Sequence, residues 1–159
     1  MNWDQVVKKV SPHVVKIETP SGHGTGFLLL YNDAKTWCGI ATADNVVSYA
    51  DNWQQPIKIY PATGNYILLK PEDRVIFRKW ETDSAVILFL KGDFQFPEFP
   101  IALLPMGQLI DIGAEVGWLG FPSVAPYSLC FFSGNISAHQ DFRNAYLIDG
   151  VAINGVSGG

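Results

Sequence analysis

Ser157 is the residue of this chain with the clearest chemical potential, because it lies between glycines in the segment GVSGG at residues 155–159. A serine hydroxyl is barely ionised near neutral pH, so it becomes a nucleophile only when a neighbouring base takes its proton. Taken alone, such a serine is more often an ordinary turn residue. Three segments in order carry candidate chemistry, namely residues 39–47 (GIATADNVV), 82–88 (TDSAVIL) and 149–159 (DGVAINGVSGG).

The elements that must position these segments are short apolar runs separated by Gly and Pro. Residues 2–10 predict a short amphipathic helix, and a turn-rich segment at residues 20–24 separates the first two strands. The predicted strands are residues 14–19, 26–31, 37–42, 57–60, 66–69, 75–77, 85–90, 115–119, 129–132, 135–138 and 146–148.

A break at residues 92–100 divides the strands into two groups, because Pro97 and Pro100 cannot continue a central strand. Many short strands at regular spacing are typical of barrels or sandwiches. We therefore expect a first barrel within residues 1–91, a linker at 92–100 and a second barrel within 101–159.

Composition excludes several classes of protein. Hydrophobic residues make up 48% and charged residues 16% of the chain, which argues against disorder. The net charge is −4 and no basic cluster is present, so a nucleic-acid or anionic-membrane surface is not expected. The N-terminus has no secretory pattern and no run is long enough to span a bilayer, which favours a cytoplasmic location.

Histidine and cysteine spacing predicts neither a metal site nor a cofactor. His13, His23 and His139 form no pair with metal-ligand spacing, and we expect each to be a surface or structural histidine. Cys38 and Cys130 lie in strand-like apolar runs and are predicted to be buried free thiols.

Together, the three segments resemble the trypsin-like serine proteases, most closely the bacterial HtrA-like branch. Supporting matches extend over nearly the whole chain, at residues 11–17 (SPHVVKI), 22–27 (GHGTGF), 117–122 (GWLGFP) and 133–138 (SGNISA). The GVSGG match alone is weakly specific, whereas the ordered set is specific.

The resemblance implies a role for each candidate residue. Ser157 falls on the nucleophile and Asp83 on the carboxylate that orients the base, while the N–H groups of Gly155 and Ser157 would form the oxyanion hole. Val151 would lie at the floor of the substrate pocket. The family's histidine falls on Asn45, whose amide cannot accept a proton near pH 7, although Asn45 also suits the start of a one-turn helix.

The fold implied is all-β, with two antiparallel β-barrels of the trypsin-like type and a short N-terminal helix. The second barrel is expected to be incomplete at the C-terminus, because the family's fold continues beyond its nucleophile. A serine endopeptidase domain acting on polypeptides, inactive through Asn45, is the leading hypothesis. Two alternatives remain, a pseudoprotease that binds peptides and an unrelated β-barrel interaction domain.

Overall fold

The computed structural model describes residues 2–159 as a mostly β chain with two α-helices, α1 (Trp3–Val10) and α2 (Asp44–Asn52). The predicted all-β class with a short N-terminal helix is confirmed. Ten strands follow in chain order: β1 (Val14–Thr19), β2 (Gly22–Tyr31), β3 (Trp37–Thr42), β4 (Ile57–Tyr60), β5 (Ile67–Leu69), β6 (Arg74–Lys79), β7 (Ser84–Leu90), β8 (Glu115–Gly120), β9 (Cys130–Gln140) and β10 (Ala145–Asp149).

The first sheet contains seven strands in the order β5-β4-β1-β2-β3-β7-β6, and every neighbouring pair is antiparallel. A register shift between Leu28 and Leu30 marks a bulge in β2, and bulges increase the bending of a strand. The sheet curls around a core of side chains that alternate along the strands, including Val15, Ile17, Leu28, Ile40, Ile59, Ile87 and Phe89, all fully buried.

The second sheet contains three antiparallel strands in the order β10-β9-β8. Its central strand, β9, is eleven residues long, whereas the sequence predicted two strands separated near Gly134. That prediction was wrong because pairing on both sides keeps β9 continuous: Gly134 lies opposite Val116 of β8, and the next residue lies opposite Asp149 of β10. A Cβ atom at Gly134 would lie 2.1 Å from the carbonyl oxygen of Asp149, so glycine permits this close approach.

The first hairpin is also tighter than predicted. Residues 20–24 were expected to form a turn, but β2 already begins at Gly22, which pairs with Thr19. Gly24 lies inside the strand, where a Cβ atom would come 2.4 Å from the side chain of Val46. The glycine is therefore part of the packing surface that receives α2.

Helix α2 is longer than the single turn expected at Asn45. It buries Asp44, Val47 and Ala50, and it runs for nine residues because this packing and an ion-pair network stabilise it. In that network Arg78 of β6 donates from Nε to Asp44 at 2.7 Å, and from Nη1 to the side chain of Asn52 at 2.7 Å. The Asp44 hydrogen bond is the main reason why the pKa of Arg78 is raised.

Helix α1 joins the N-terminus to the second sheet. Asn2 caps the helix by accepting a hydrogen bond from the N–H of Gln5, at 3.5 Å. Trp3 packs on Phe131 of β9, with ring centroids 5.1 Å apart, and its indole N–H donates to Glu115 of β8. Within residues 2–159, neither helix has the length and apolar character needed to cross a bilayer.

Residues 92–100 contain no strand, and the segment packs against the first sheet. Phe94 is buried and joins the core, with its ring 5.8 Å from that of Phe89 and 4.5 Å from that of Phe96. Phe94 and Phe96 thus extend the core of the seven-stranded sheet, whereas Phe99 is largely exposed.

Candidate active site

Asn45 and Asp83 form a two-point hydrogen-bonded pair. The backbone N–H of Asn45 donates to Asp83 Oδ1 at 2.9 Å, and the side-chain Nδ2 of Asn45 donates to Oδ2 at 2.6 Å. The N-cap residue of α2, Ala43, has no side-chain acceptor, so Asp83 supplies a carboxylate to the first turn from another strand. Both members of the pair are exposed to solvent.

The backbone around Asp83 fixes the direction of its carboxylate. Asp83 ends a short 3-10 helix and adopts a left-handed conformation, with φ +49° and ψ +47°, immediately before β7. Strand β7 pairs with β3 so that Ala85 lies opposite Thr42. This register brings Asp83 beside the start of α2, which follows β3 directly.

The segment that carries Ser157 is held against β2 by a single threonine. Buried Thr25 accepts nothing from this segment but donates twice, from its N–H to the carbonyl oxygen of Ser157 and from Oγ1 to that of Gly155, each at 2.9 Å. The Thr25 Oγ1 also accepts from the N–H of Phe121 at 3.1 Å, and Thr42 Oγ1 donates to the Thr25 carbonyl at 2.7 Å.

The end of β3 is the place where the three segments meet. A Cβ atom at Gly158 would lie 2.5 Å from Thr42 Oγ1 and 3.0 Å from the backbone nitrogen of Ala43. Ser157 therefore lies beside the residues that immediately precede Asn45, while Asp83 approaches from the paired end of β7. The backbone at Gly158 thus lies beside the start of α2, where Asn45 is bonded to Asp83.

The turn before Ser157 orients the two predicted oxyanion-hole donors. Gly155 has φ +98°, and the carbonyl oxygen of Asn154 accepts from the N–H of Ser123 at 2.6 Å. Because a trans peptide directs its N–H opposite to its carbonyl, the Gly155 N–H points away from Ser123. Within residues 2–159, neither the Gly155 nor the Ser157 N–H donates to another protein atom, and Gly155 is buried. Their role as an oxyanion hole stays a prediction.

The predicted pocket residue Val151 is 60% exposed and lies in the irregular segment after β10. Its role at the floor of a substrate pocket therefore stays a prediction.

The three histidines have structural hydrogen bonds, as the sequence predicted. The Nε2 atoms of His13, His23 and His139 lie 2.9, 3.0 and 2.6 Å from the carbonyl oxygens of Phe99, Phe121 and Ile110, respectively. Both cysteines are free thiols, but only Cys38 is buried as predicted, whereas Cys130 is partly exposed. Burial raises the pKa of Cys38 to about 12. No group of three or more acidic, histidine or cysteine side chains within residues 2–159 is arranged to hold a metal ion.

Sequence reasoning missed Thr25, which connects the Ser157 segment to β2. Thr25 occurs in the GHGTGF match, but the sequence contains no sign that its hydroxyl contacts residues about one hundred positions away. Only the packing of the two sheets reveals this role.

No family model matches the chain, and no curated protein sequence matches it. Solved structures do match. Deg5 has a TM-score of 0.73 and 22% identity, covering 98% of this chain and 76% of Deg5. The inactive form of the Rv3671c protease of M. tuberculosis H37Rv has a TM-score of 0.69 and 20% identity, covering 96% of this chain and 73% of that one.

The serine endoprotease from Yersinia pestis has a TM-score of 0.71 and 21% identity, covering 99% of this chain and 52% of its own. Identities at this level establish the likeness of the fold alone. The chain therefore has the trypsin-like fold of the HtrA/Deg-type serine proteases.

Proposed function

We propose that the chain is a trypsin-like serine endopeptidase domain that is inactive, or nearly so, because Asn45 occupies the position of the general base. Ser157 would be the nucleophile, Asp83 the orienting carboxylate, and the N–H groups of Gly155 and Ser157 the oxyanion hole. The observation that carries the proposal is the 2.6 Å hydrogen bond between Asn45 Nδ2 and Asp83 Oδ2, beside the Ser157 segment.

The Asn45–Asp83 pair reproduces half of what a histidine would do at this position. The Nδ2 of asparagine and the Nδ1 of histidine are separated from Cα by the same number of bonds, so either can donate to the same carboxylate. A histidine would add a second nitrogen that accepts the proton of the serine hydroxyl and returns it to the leaving amine. The asparagine amide has no basic atom for this step.

The expected loss of rate is large. Removing the histidine from another serine protease lowers turnover by about 10⁶. Preorganised N–H donors and substrate binding alone still give a rate enhancement on the order of 10³–10⁴ over the reaction in water. The free N–H groups of Gly155 and Ser157 are compatible with such residual stabilisation of an oxyanion.

The alternative function is that of a pseudoprotease, which would bind an extended peptide without cutting it. One observation favours it: both carboxylate oxygens of Asp83 are already satisfied by Asn45, so the site is a complete hydrogen-bonded arrangement without a base. Micromolar binding of unmodified peptides, unchanged in Ser157→Ala, would support this alternative.

The test is covalent labelling of Ser157 by a fluorophosphonate, which reacts with activated serines. We expect no labelling of the chain with Asn45 and clear labelling of Asn45→His, with Ser157→Ala as the unlabelled control in both backgrounds. Asn45→Gln is the matched control, because it changes the side chain without supplying a base. Absence of labelling in a folded Asn45→His variant would contradict the endopeptidase proposal and favour the pseudoprotease.

We also propose residues 1–91 and 101–159 as the two units of the fold, connected by 92–100. The strands support this division, since β7 ends at Leu90 and β8 begins at Glu115. Under this division Asn45 and Asp83 belong to the first unit and Ser157 to the second, so the site lies where the units meet.

A further inference from the structure

Lys16 is an unusual residue for the middle of a β-strand, because its side chain is only 8% exposed. Lysine is almost never this buried unless it is paired. It lies in β1 between Val15 and Ile17, which point into the core of the first sheet. The alternation of a strand therefore directs Lys16 to the opposite face, towards the loop that precedes β9.

The Lys16 ammonium group lies beside two aromatic rings and forms an ion pair with Glu18. Its Nζ lies 4.5 Å from the ring centroid of Tyr127 and 5.7 Å from that of Tyr60. The nearest carboxylate oxygen, on Glu18, is 3.6 Å away, beyond hydrogen-bonding distance. Within residues 2–159 the ammonium donates no hydrogen bond to another protein atom, so its N–H groups are held only by the ion pair with Glu18 and remain available to a ligand.

The ammonium lines a pocket of about 440 Å³, a volume in the range of small-molecule sites. Most of the wall is apolar or aromatic, and the lining includes Val14, Tyr60, Pro61, Phe121, Tyr127 and Leu129. Phe121 separates this pocket from the Ser157 segment, because its backbone bonds Thr25 Oγ1 and His23. None of the residues proposed for catalysis lines it.

We propose that this pocket binds the carboxylate of a small organic acid that has an apolar body. The Lys16 ammonium would donate to the carboxylate, and the ring faces and aliphatic wall would cover the rest of the molecule. This goes beyond the proposed function, and it does not depend on the chemistry of Ser157.

The surrounding charges favour a monoanion over a phosphate. One ammonium is present, and the carboxylate of Glu18 lies 3.6 Å from it, so a dianion would be repelled more strongly than a carboxylate. The Tyr60 hydroxyl remains protonated, since burial and then the charge of Glu18 raise its pKa. It therefore adds a possible donor and no negative charge.

The experiment measures binding to the chain itself by calorimetry, with two matched pairs of probes. Hexanoate and hexanamide represent a free acid and its neutral analogue, while N-acetyl-leucine and N-acetyl-leucinamide represent the end of a polypeptide. We expect at least one acid to bind and its amide to bind at least about tenfold more weakly, because charge-assisted hydrogen bonds exceed neutral ones. The pair that shows the difference identifies the source of the carboxylate.

Two substitutions locate the site. Lys16→Met keeps the unbranched chain as far as its fourth atom but removes the ammonium, and it should weaken binding of the acid at least about tenfold while leaving binding of the amide unchanged. Glu18→Gln removes the competing carboxylate and should tighten acid binding by roughly two- to fivefold. This second test remains valid even if the Lys16→Met variant does not fold. Equal binding of acid and amide, no binding of either acid, or a Glu18→Gln variant that binds the acid more weakly would overturn the proposal.

Discussion

The two sheets differ greatly in how well they are buried. The seven-stranded sheet surrounds a continuous core with many fully buried side chains, whereas in the three-stranded sheet only Leu119, Gly120 and Ile136 are buried. Four of the five residues of β10 are exposed. The candidate site draws on both regions, since the Asn45–Asp83 pair belongs to the first sheet and Ser157 follows the second.

This difference suggests how the site is stabilised. Asn45 and Asp83 are attached to elements that the large core holds in place, namely α2 and β7. Ser157 lies in an irregular segment and relies on hydrogen bonds from Thr25 of the first sheet. The larger sheet thus orders both halves of the site, and the comparison can be tested by perturbing each region in turn.

The largest expected effect comes from removing a core ring of the first sheet. Phe89→Ala should reduce the free energy of unfolding by about 3–5 kcal/mol, because Phe89 is fully buried and packs against Phe94. The matched change in the second sheet, Phe131→Ala, should cost only about 1–2 kcal/mol, since Phe131 is 36% exposed. Urea unfolding of both variants measures the difference. Equal losses would show that the two sheets contribute equally to stability.

A smaller loss is expected when the hydroxyl of Thr25 is removed, which leaves only the backbone hydrogen bond from Thr25 to Ser157. Thr25→Val keeps the shape of the side chain but leaves the buried Gly155 carbonyl and Phe121 N–H without their partner. We expect a loss of about 2–3 kcal/mol, because unsatisfied buried polar groups are costly. Hydrogen exchange should increase in residues 153–159 and remain unchanged in β3.

The control is Thr63→Val, at an exposed position, which should change stability by less than about 0.5 kcal/mol. If residues 153–159 keep their protection in Thr25→Val, the segment does not depend on the first sheet in the way described.

High pH should destabilise the first sheet selectively. Burial raises the pKa of Cys38 to about 12 from an ordinary value of 9.0, and raises that of Tyr31 from 10.0 to about 12. The unfolded chain therefore loses these protons first, so stability is complete below pH 9 and falls between pH 9 and 12. Each such group contributes a slope of at most about 1.4 kcal/mol per pH unit.

Unfolding of the chain and of Cys38→Ala between pH 8 and pH 11 would measure the Cys38 contribution. Cys130→Ala is the control, because that thiol lies in the second sheet and is partly exposed. A pH slope unchanged in Cys38→Ala would contradict the assignment to the first sheet.

The smallest effect is expected at the exposed pair itself. Asn45→Ala removes the side-chain hydrogen bond to Asp83 but keeps the one from the backbone N–H, so we expect a loss of about 0.5–1 kcal/mol. Asp83→Ala removes both hydrogen bonds and places alanine in a left-handed conformation, so it should cost more, about 1–2 kcal/mol. The order of the two thermal midpoints checks this, and the reverse order would show that Asn45 is held by other contacts.

Local sequence patterns were sufficient to predict most of the secondary structure. The pattern of apolar residues predicted β1, β3 and β4 with their observed bounds, because the two-residue period of a strand depends only on residues that are neighbours in the sequence. The continuity of β9 was not predictable in this way. Its Gly134 looks like a break in isolation, and only pairing with strands on both sides maintains the extended conformation.

The candidate site was recognised from an ordered set of motifs that resembles a known family. Nothing in the residues alone indicates that Asn45 approaches Asp83, which is 38 positions away, or that Thr25 contacts Gly155, which is 130 positions away. These contacts depend on strand register and on how the two sheets pack.

The sequence by itself thus determined which segments are extended, which thiols stay free and which residue types meet the needs of acyl transfer, because all of these follow from local pattern and side-chain chemistry. The tertiary structure alone decided the environment of each group. It gave Asn45 its carboxylate partner and placed the Lys16 ammonium beside Tyr60 and Tyr127. The physical reason is that burial and hydrogen-bond partners are set by residues distant in the chain, which are brought together only when the strands pair and the sheets pack.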